Sequence, residues 1–270
     1  MSNLIRFPIT MFKTSKRKIT SQKIEDIENE LQNASIYCKN NFLKLNAAKS
    51  VRLDIFNRKT EFNHKLSIDN IEIPSKQNHK HLGIVFDTKL NFNENIDFIS
   101  KKVTQKWCYI SRICKHSNLE ILIRMFKSNI RPLIETNIIA YPINLTQMKR
   151  LENIQKACLR RIHFRSNSNI NFQQFLKANK IDSVEIRRKN QILLHLQKTK
   201  LNFENIPRNW KKHLKFFQHL PTGRDGWKAN CNIKFDHKIF YCYAAKMFNE
   251  LDLKTRNNFT INQYRSMLKT

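Results

Sequence analysis

Residues 96–114 read IDFISKKVTQKWCYISRIC, and their apolar positions mark where the chain changes from strands to helices. Apolar side chains return every three or four residues, which is the spacing of one face of a helix. The stretch therefore predicts a long amphipathic helix. The positions that carry the pattern are Ile96, Ile99, Val103, Trp107, Ile110 and Cys114.

Downstream of this stretch the sequence predicts an almost purely helical region. The same apolar spacing indicates helices over 119–130, 146–163, 171–178, 183–200 and 240–251. The first of them is expected to stop before Pro132, because proline has no backbone N–H and its ring clashes with the preceding turn.

Upstream, the pattern indicates one helix and several short strands. A helix is predicted over 24–38, and alternating apolar residues predict strands at 51–55 and at 81–86. Between them, alternation on both sides of Asp69-Asn70 predicts a hairpin over 66–73, because Asp and Asn favour turns. The predicted fold class is α+β: a small antiparallel sheet with one helix against it, followed by a mostly α-helical bundle and C-terminal helices.

The charge of the chain is strongly positive, with 50 Lys and Arg against 21 Asp and Glu, a net charge of +29. Such an excess favours a polyanionic partner, because each phosphate that the protein neutralises releases condensed counterions. A second interpretation stays open: Lys, Asn and Ile are abundant throughout, as an AT-rich genome would produce.

Several classes of protein are not expected. No apolar run approaches the roughly 18 to 20 residues that span a bilayer. The basic N-terminus lacks a cleavage site of the secretory type, so we expect an intracellular protein, nuclear or cytoplasmic, that is not secreted and meets no membrane.

Neither a metal site nor a nucleophilic enzyme is predicted. The six cysteines contain no CxxC pair, so we expect free thiols and no structural zinc site. No glycine-rich phosphate loop or local nucleophile motif is present. Two groups come nearest to a metal-ligand pattern: Cys108, Cys114 and His116, and Cys231, His237 and Cys242.

Several blocks, taken in order, resemble one protein family. Residues 31–50 (LQNASIYCKNNFLKLNAAKS) and 80–84 (KHLGI) are similar to segments that follow the catalytic aspartates of non-LTR (LINE-type, jockey-like) retrotransposon reverse transcriptases. Further blocks resemble later segments of the same family: 87–90 (DTKL), 130–135 (IRPLIE), 151–155 (LENIQ), the pair Arg187-Arg188, and 240–251 (FYCYAAKMFNEL).

The resemblance implies a division of the chain into four regions. Residues 1–20 would be a basic, irregular N-terminus and 21–92 a remnant of the polymerase palm, with KHLGI as the primer-grip hairpin. Residues 93–200 would be a helical, thumb-like region and 201–270 a C-terminal extension.

The resemblance does not extend to catalysis. The family is an RNA-directed DNA polymerase whose Tyr-x-Asp-Asp motif holds divalent cations, and this sequence contains no Asp-Asp pair. In a gapless superposition, Phe7 and Pro8 stand where the metal-binding aspartates belong. We therefore expect a truncated, catalytically inactive remnant with no catalytic residues and no cofactor; Mg²⁺ is expected only for an intact member of the family.

The remaining chemistry is electrostatic. A polymerase thumb holds nucleic acid by its phosphates, so we expect RNA or DNA to bind without base specificity. The alternative for each basic cluster is a solvated helix face. The candidate nucleic-acid-binding residues are Lys80, His81, Lys101, Lys102, Lys149, Arg150, Lys156, Arg160, Arg161, Arg187 and Arg188.

Other functions remain open at this point. The chain could be a basic structural or interaction protein that binds an acidic partner, a fragment completed by another chain, or a non-functional relic of a transposable element. The sequence fixes neither the oligomeric state nor a preference for RNA over DNA.

Overall fold

The computed structural model describes residues 6–7, 21–45, 50–55, 64–166, 169–201, 217–219, 227–229 and 247–251. The chain forms two compact units that divide between Glu94 and Asn95. The fold class is α+β, as predicted, with short two-stranded sheets and mostly helical structure after the division. The two units are described separately.

The N-terminal unit is built around helix α1 (Ser21–Asn40) and a hairpin of strands β3 (Ser67–Ile68) and β4 (Ile71–Glu72). Apolar side chains of α1 pack against a small buried cluster in and beside the hairpin, which confirms the predicted helix. The packed residues are Ile27 and Leu31 of the helix and Leu66, Ile68 and Ile73 of the cluster.

The turn of this hairpin confirms the prediction at Asp69-Asn70. Both residues have positive φ, 49° and 64°, which is the geometry of the two-residue turn that matches strand twist. The Asp69 carboxylate accepts hydrogen bonds from Ser35 Oγ at 2.7 Å and Lys39 Nζ at 2.8 Å. Hydrogen bonds from Lys39 and Ser35 lower the pKa of Asp69, so the turn is tied to α1 by an ionised carboxylate.

A second hairpin replaces the single strand that the sequence predicts at 81–86. Strands β5 (Asn78–His81) and β6 (Ile84–Asp87) pair antiparallel around Leu82-Gly83. Both turn residues have positive φ, 47° and 83°, and Gly83 reaches this region without a steric cost. The KHLGI segment is therefore a hairpin, as the resemblance implies.

The strands form separate two-stranded sheets and not the one sheet that was predicted. The predicted strand at 51–55 contributes only a parallel bridge between Arg52 and Ser75. Pro74, next to Ser75, cannot donate to a ladder, which limits pairing there. Short pairs also join β1 (Arg6–Phe7) to β2 (Lys44–Leu45) in parallel and β7 (Phe217–His219) to β8 (Trp227–Ala229) antiparallel.

Asp87 fixes the chain where the second hairpin ends. Its buried carboxylate accepts the backbone N–H groups of Lys89, Asn91 and Phe92 at 2.9, 3.1 and 2.8 Å. Leu90 and Phe92 both have positive φ, 50° and 59°, which is costly for residues other than glycine. The three hydrogen bonds offset that cost.

Replacing Asp87 by Ala is expected to lower the free energy of unfolding by about 2 to 3 kcal/mol, because backbone donors near a buried position lose their acceptor. Asp87→Asn should lose less, since one acceptor oxygen remains. Chemical denaturation followed by circular dichroism measures both. Asp26→Ala on the exposed side of α1 is the control and should change stability by less than about 0.5 kcal/mol; an equally small loss for Asp87→Ala would contradict this role.

The C-terminal unit is helical through most of its described length. Four of the predicted helices are confirmed to within a few residues: 96–114, 146–163, 171–178 and 183–200. The observed helices are α2 (Asn93–Ile113), α3 (Leu119–Met125), α4 (Arg131–Glu135), α5 (Leu145–Arg165), α6 (Phe172–Ala178) and α7 (Val184–Leu201). Of the helix predicted over 240–251, residues 247–249 are helical and 240–246 lie outside the described residues.

The prediction that the chain leaves the helix before Pro132 is wrong. A π-helical turn, Phe126–Ile130, follows α3, and the Arg131 N–H donates to the Phe126 carbonyl. Pro132 then falls in the first turn of α4, where a backbone N–H would have no helical partner in any case. The chain thus stays helical through Pro132 as far as Glu135.

Candidate nucleic-acid interface

Helices α2 and α5 lie side by side and run in the same direction. Near their first turns, Arg150 of α5 forms an ion pair with Asp97 of α2. At the other end, the Arg165 guanidinium donates to the carbonyl oxygens of Cys114, at 3.2 Å, and Lys115. Early residues of one helix therefore meet early residues of the other, and late residues meet late ones.

Two thiols mark the middle of this contact. Burial raises the pKa of the Cys158 thiol to about 12, while the charge of Arg161 lowers it and the neighbouring Cys108 raises it. Cys158 is therefore a buried, protonated thiol at neutral pH, within electrostatic reach of both α2 and an exposed arginine of α5. The two helices are therefore linked near their first turns, at their middles and near their ends.

Basic side chains lie on the exposed sides of these helices. After Asp97, α2 has no acidic residue, and the only acidic residue of α5 is Glu152. The Glu152 carboxylate accepts the Val184 N–H at 2.7 Å, at the start of α7, and lines a cleft there with Lys149 and Lys156. We call the resulting set the α2/α5 basic surface: Lys101, Lys102, Lys106 and Arg112 of α2, and Lys149, Arg160 and Arg161 of α5, all exposed.

Two predicted site residues of α5 have protein partners near this surface, and a third lines a cleft. Arg150 is half-buried and pairs with Asp97. Arg160 lies over the Phe172 ring at 5.7 Å from its centre, which holds the guanidinium near the surface without neutralising it. Lys156 is half-buried beside Glu152 in a shallow cleft between α5 and α7.

The structure corrects the prediction for Arg187, which is buried with 4% of its surface exposed. Its guanidinium pairs with Glu135 and donates to the carbonyl of Asp182 and the side-chain oxygen of Gln155. Burial lowers the pKa of Arg187, and the charge of Glu135 opposes that shift. This guanidinium is held inside the fold by these partners and does not reach a phosphate on the surface.

Arg188 is corrected for the same reason. It is 8% exposed, and its Nε donates to the Ile138 carbonyl at 3.0 Å while its Nη2 lies 3.4 Å from the Tyr141 carbonyl. The side chain therefore supports the segment between α4 and α5. Neither member of the paired-arginine motif belongs to the α2/α5 basic surface.

Lys80 and His81 lie on β5 of the N-terminal unit, with Lys80 exposed and His81 half-buried. Next to them, burial lowers the pKa of His79, and the charges of His81 and Lys76 lower it further. This hairpin is thus locally positive, and it is a candidate separate from the α2/α5 basic surface.

No metal-binding group of three His, Cys, Asp or Glu side chains occurs among the described residues. Cys114 is buried, Cys108 half-buried and His116 exposed. The other group weighed as a metal pattern, which includes Cys231 and His237, lies outside the described residues. No helix in the described part of the chain has the length and apolar character needed to cross a membrane.

The sequence interpretation missed two aromatic residues on the same helices. Tyr109 of α2 is 65% exposed and Phe164 of α5 is 85% exposed. Both fall outside the apolar spacing of their helices, since the buried rows run through Trp107 and Ile110 in α2 and through Cys158 and Ile162 in α5. A large ring that lies outside the apolar spacing of its helix is the sequence signal by which Tyr109 and Phe164 could have been identified.

No protein-family model, curated protein or solved structure matches this chain. The resemblance to non-LTR reverse transcriptases therefore stays a prediction that depends on the quoted motifs.

The network around Arg187 predicts a large loss of stability when its counter-charge is removed. Glu135→Gln should lower the free energy of unfolding by about 3 to 5 kcal/mol, because the buried guanidinium keeps its charge and loses its partner. Chemical denaturation followed by circular dichroism measures the change.

Two variants separate this effect from a general loss of charge. Glu135→Leu combined with Arg187→Met should recover much of the stability, since apolar side chains replace the whole pair. Glu120→Gln breaks the exposed pair with Arg124 and should cost less than about 1 kcal/mol. Similar losses for Glu120→Gln and Glu135→Gln would contradict a special role for the buried pair.

Proposed function

We propose that this protein binds nucleic acid without base specificity through the α2/α5 basic surface. We further propose that it descends from a non-LTR reverse transcriptase and does not itself polymerise DNA. The observation that carries the binding proposal is the parallel pairing of two helices whose exposed sides bear many cations and few carboxylates. Asp97 is paired with Arg150, and Glu152 binds the start of α7.

The physical basis of the proposal is a concentration of positive charge on two adjacent helices. Arg112 and Arg161 come from the later halves of α2 and α5, and the Arg165 contact holds those halves together. Phosphates meet such a surface whatever bases they carry, because hydrogen bonds to the backbone position a nucleic acid without reading it. The charge of the whole chain, +29, strengthens the attraction at long range.

The lack of polymerase activity is proposed from the carboxylates. Two-metal phosphoryl transfer needs aspartates that converge on metal ions about 4 Å apart. The adjacent acidic pair Glu25-Asp26 lies on α1 with both side chains exposed, and neighbours on a helix point about 100° apart. That pair is therefore part of a solvated helix face. No cofactor is proposed for this protein.

The binding proposal predicts a steep dependence on salt. If about five phosphates are contacted, affinity for a duplex should fall by roughly a few hundredfold between about 50 and 200 mM salt. Fluorescence anisotropy with a labelled 20-base-pair duplex of arbitrary sequence measures it. Salt-independent binding, or none, would contradict the proposal, and equal affinity for poly-glutamate would favour the acidic-protein alternative.

The site is tested by matched triple variants. Lys101→Gln, Arg112→Gln and Arg161→Gln together should reduce the slope of log affinity against log salt by about 3, roughly one for each phosphate contact. The control removes the same charge from the exposed lysines Lys177, Lys180 and Lys189 on and near α6 and α7. Equal effects of the two triple variants would mean that net charge, and not this surface, determines binding.

The proposed absence of polymerase activity has its own measurement. A primed RNA template incubated with the protein, deoxynucleotides and Mg²⁺ should show no primer extension above the level without protein. An active reverse transcriptase run in parallel controls the assay. Template-dependent extension would overturn this part of the proposal and leave the binding part untouched.

A further inference from the structure

Two large rings are exposed to water on the helices that carry the α2/α5 basic surface. Tyr109 and Phe164 are 65% and 85% exposed, whereas Trp107, two residues before Tyr109, is 4% exposed. The helices thus bury one aromatic row in the core and present other rings outward. The described part of the fold gives these two rings no packing role that would explain their size.

Helix geometry places cations beside each ring. Residues three and four apart on a helix are neighbours on its surface. Arg112 follows Tyr109 by three residues, and Arg160 and Arg161 precede Phe164 by four and three. Each ring therefore has a guanidinium next to it on the same exposed face.

The two rings belong to one surface. Arg165, the residue after Phe164, donates to the carbonyls of Cys114 and Lys115 just beyond the end of α2. Tyr109 lies little more than one turn before that end of α2. The parallel pairing of the helices thus brings both rings to the same end of the α2/α5 basic surface.

We infer that this surface selects single-stranded nucleic acid, with unpaired bases stacked on Tyr109 and Phe164 and the phosphates held by neighbouring cations. The inference rests on the proposed function and narrows its substrate class. In a duplex each base is already stacked between neighbours and its faces are not available, so exposed rings add nothing to duplex binding. In a single strand every base offers a free face, whatever its identity.

The charge around the rings argues against an apolar protein partner as the occupant. Protein–protein interfaces are depleted in lysine, whereas aromatic residues and arginine are enriched in them. Here the exposed Lys106 lies three residues before Tyr109, and the exposed Lys101 and Lys102 lie on the same helix. A surface that combines rings and cations fits a ligand that combines flat bases and phosphates.

The test replaces the rings and keeps the charges. Binding of fluorescein-labelled dT20, rU20 and a 20-base-pair duplex is measured by anisotropy for the wild type, Tyr109→Leu, Phe164→Leu and the double variant. Each ring removed should weaken binding of both single strands by roughly tenfold. Binding of the duplex should change by less than about twofold, because its bases do not reach the rings.

Matched variants keep the result interpretable. Tyr109→Phe and Phe164→Tyr retain a ring and should stay within about twofold of the wild type. Leu145→Ala removes another exposed apolar side chain, 81% exposed, from the opposite end of α5 and should change nothing. Thermal denaturation of every variant verifies the fold, since exposed positions should tolerate these changes.

The outcomes separate this inference from the proposed function. Weaker binding of the single strands by the ring variants, with duplex binding unchanged, supports the inference. The ratio of the wild-type affinities for dT20 and rU20 shows whether DNA or RNA is preferred. Wild-type binding with a steep salt dependence, combined with no effect of ring removal or an equal effect on duplex and single strands, overturns the inference and leaves the proposed function standing. Absence of any binding by the wild type overturns both.

Discussion

The ion pair between Glu135 and Arg187 is the constraint on which the helical unit depends, because it joins three helices through a buried guanidinium and a largely buried carboxylate. Glu135 ends α4, Arg187 lies in α7, and Gln155 of α5 accepts from the same guanidinium. Arg131 and Gln191 also donate to the carboxylate, at 2.8 and 3.0 Å. A buried charge with fewer partners would cost several kcal/mol, so the helices must keep the positions that satisfy it.

This network also decides which side of α5 faces outward. One side of α5 faces the core, and it carries Gln155 and the apolar residues Leu151, Cys158 and Ile162. Arg160 and Arg161, which lie between Cys158 and Ile162 in the sequence, are left exposed. The positive surface is thus linked to the way in which the polar core is satisfied.

Periodicity in the sequence was enough to predict most helices, because a row such as Ile96, Ile99 and Val103 has one structural meaning. Periodicity was not enough where the backbone conformation or the burial of a polar side chain determines the local structure. Leu82-Gly83 turns the chain inside a run that alternates like a strand. Arg188 lies in the helical row of Val184 and Ile192, so its burial could have been inferred from spacing, whereas its pairing partners come from distant segments. The exposed rings of Tyr109 and Phe164 likewise required knowing which side of each helix is covered.

The π-helical turn at Phe126–Ile130 determines the direction in which the side chains of the next helix, α4, point. Such a turn holds one residue more than regular α-helix, and one residue corresponds to a rotation of about 100° about the helix axis. Without that extra residue, every side chain of α4 would face another direction, and the Glu135 carboxylate would turn away from Arg187. The register of α4 is therefore set by a single additional residue, and a deletion in this turn would do more harm than most substitutions in the core.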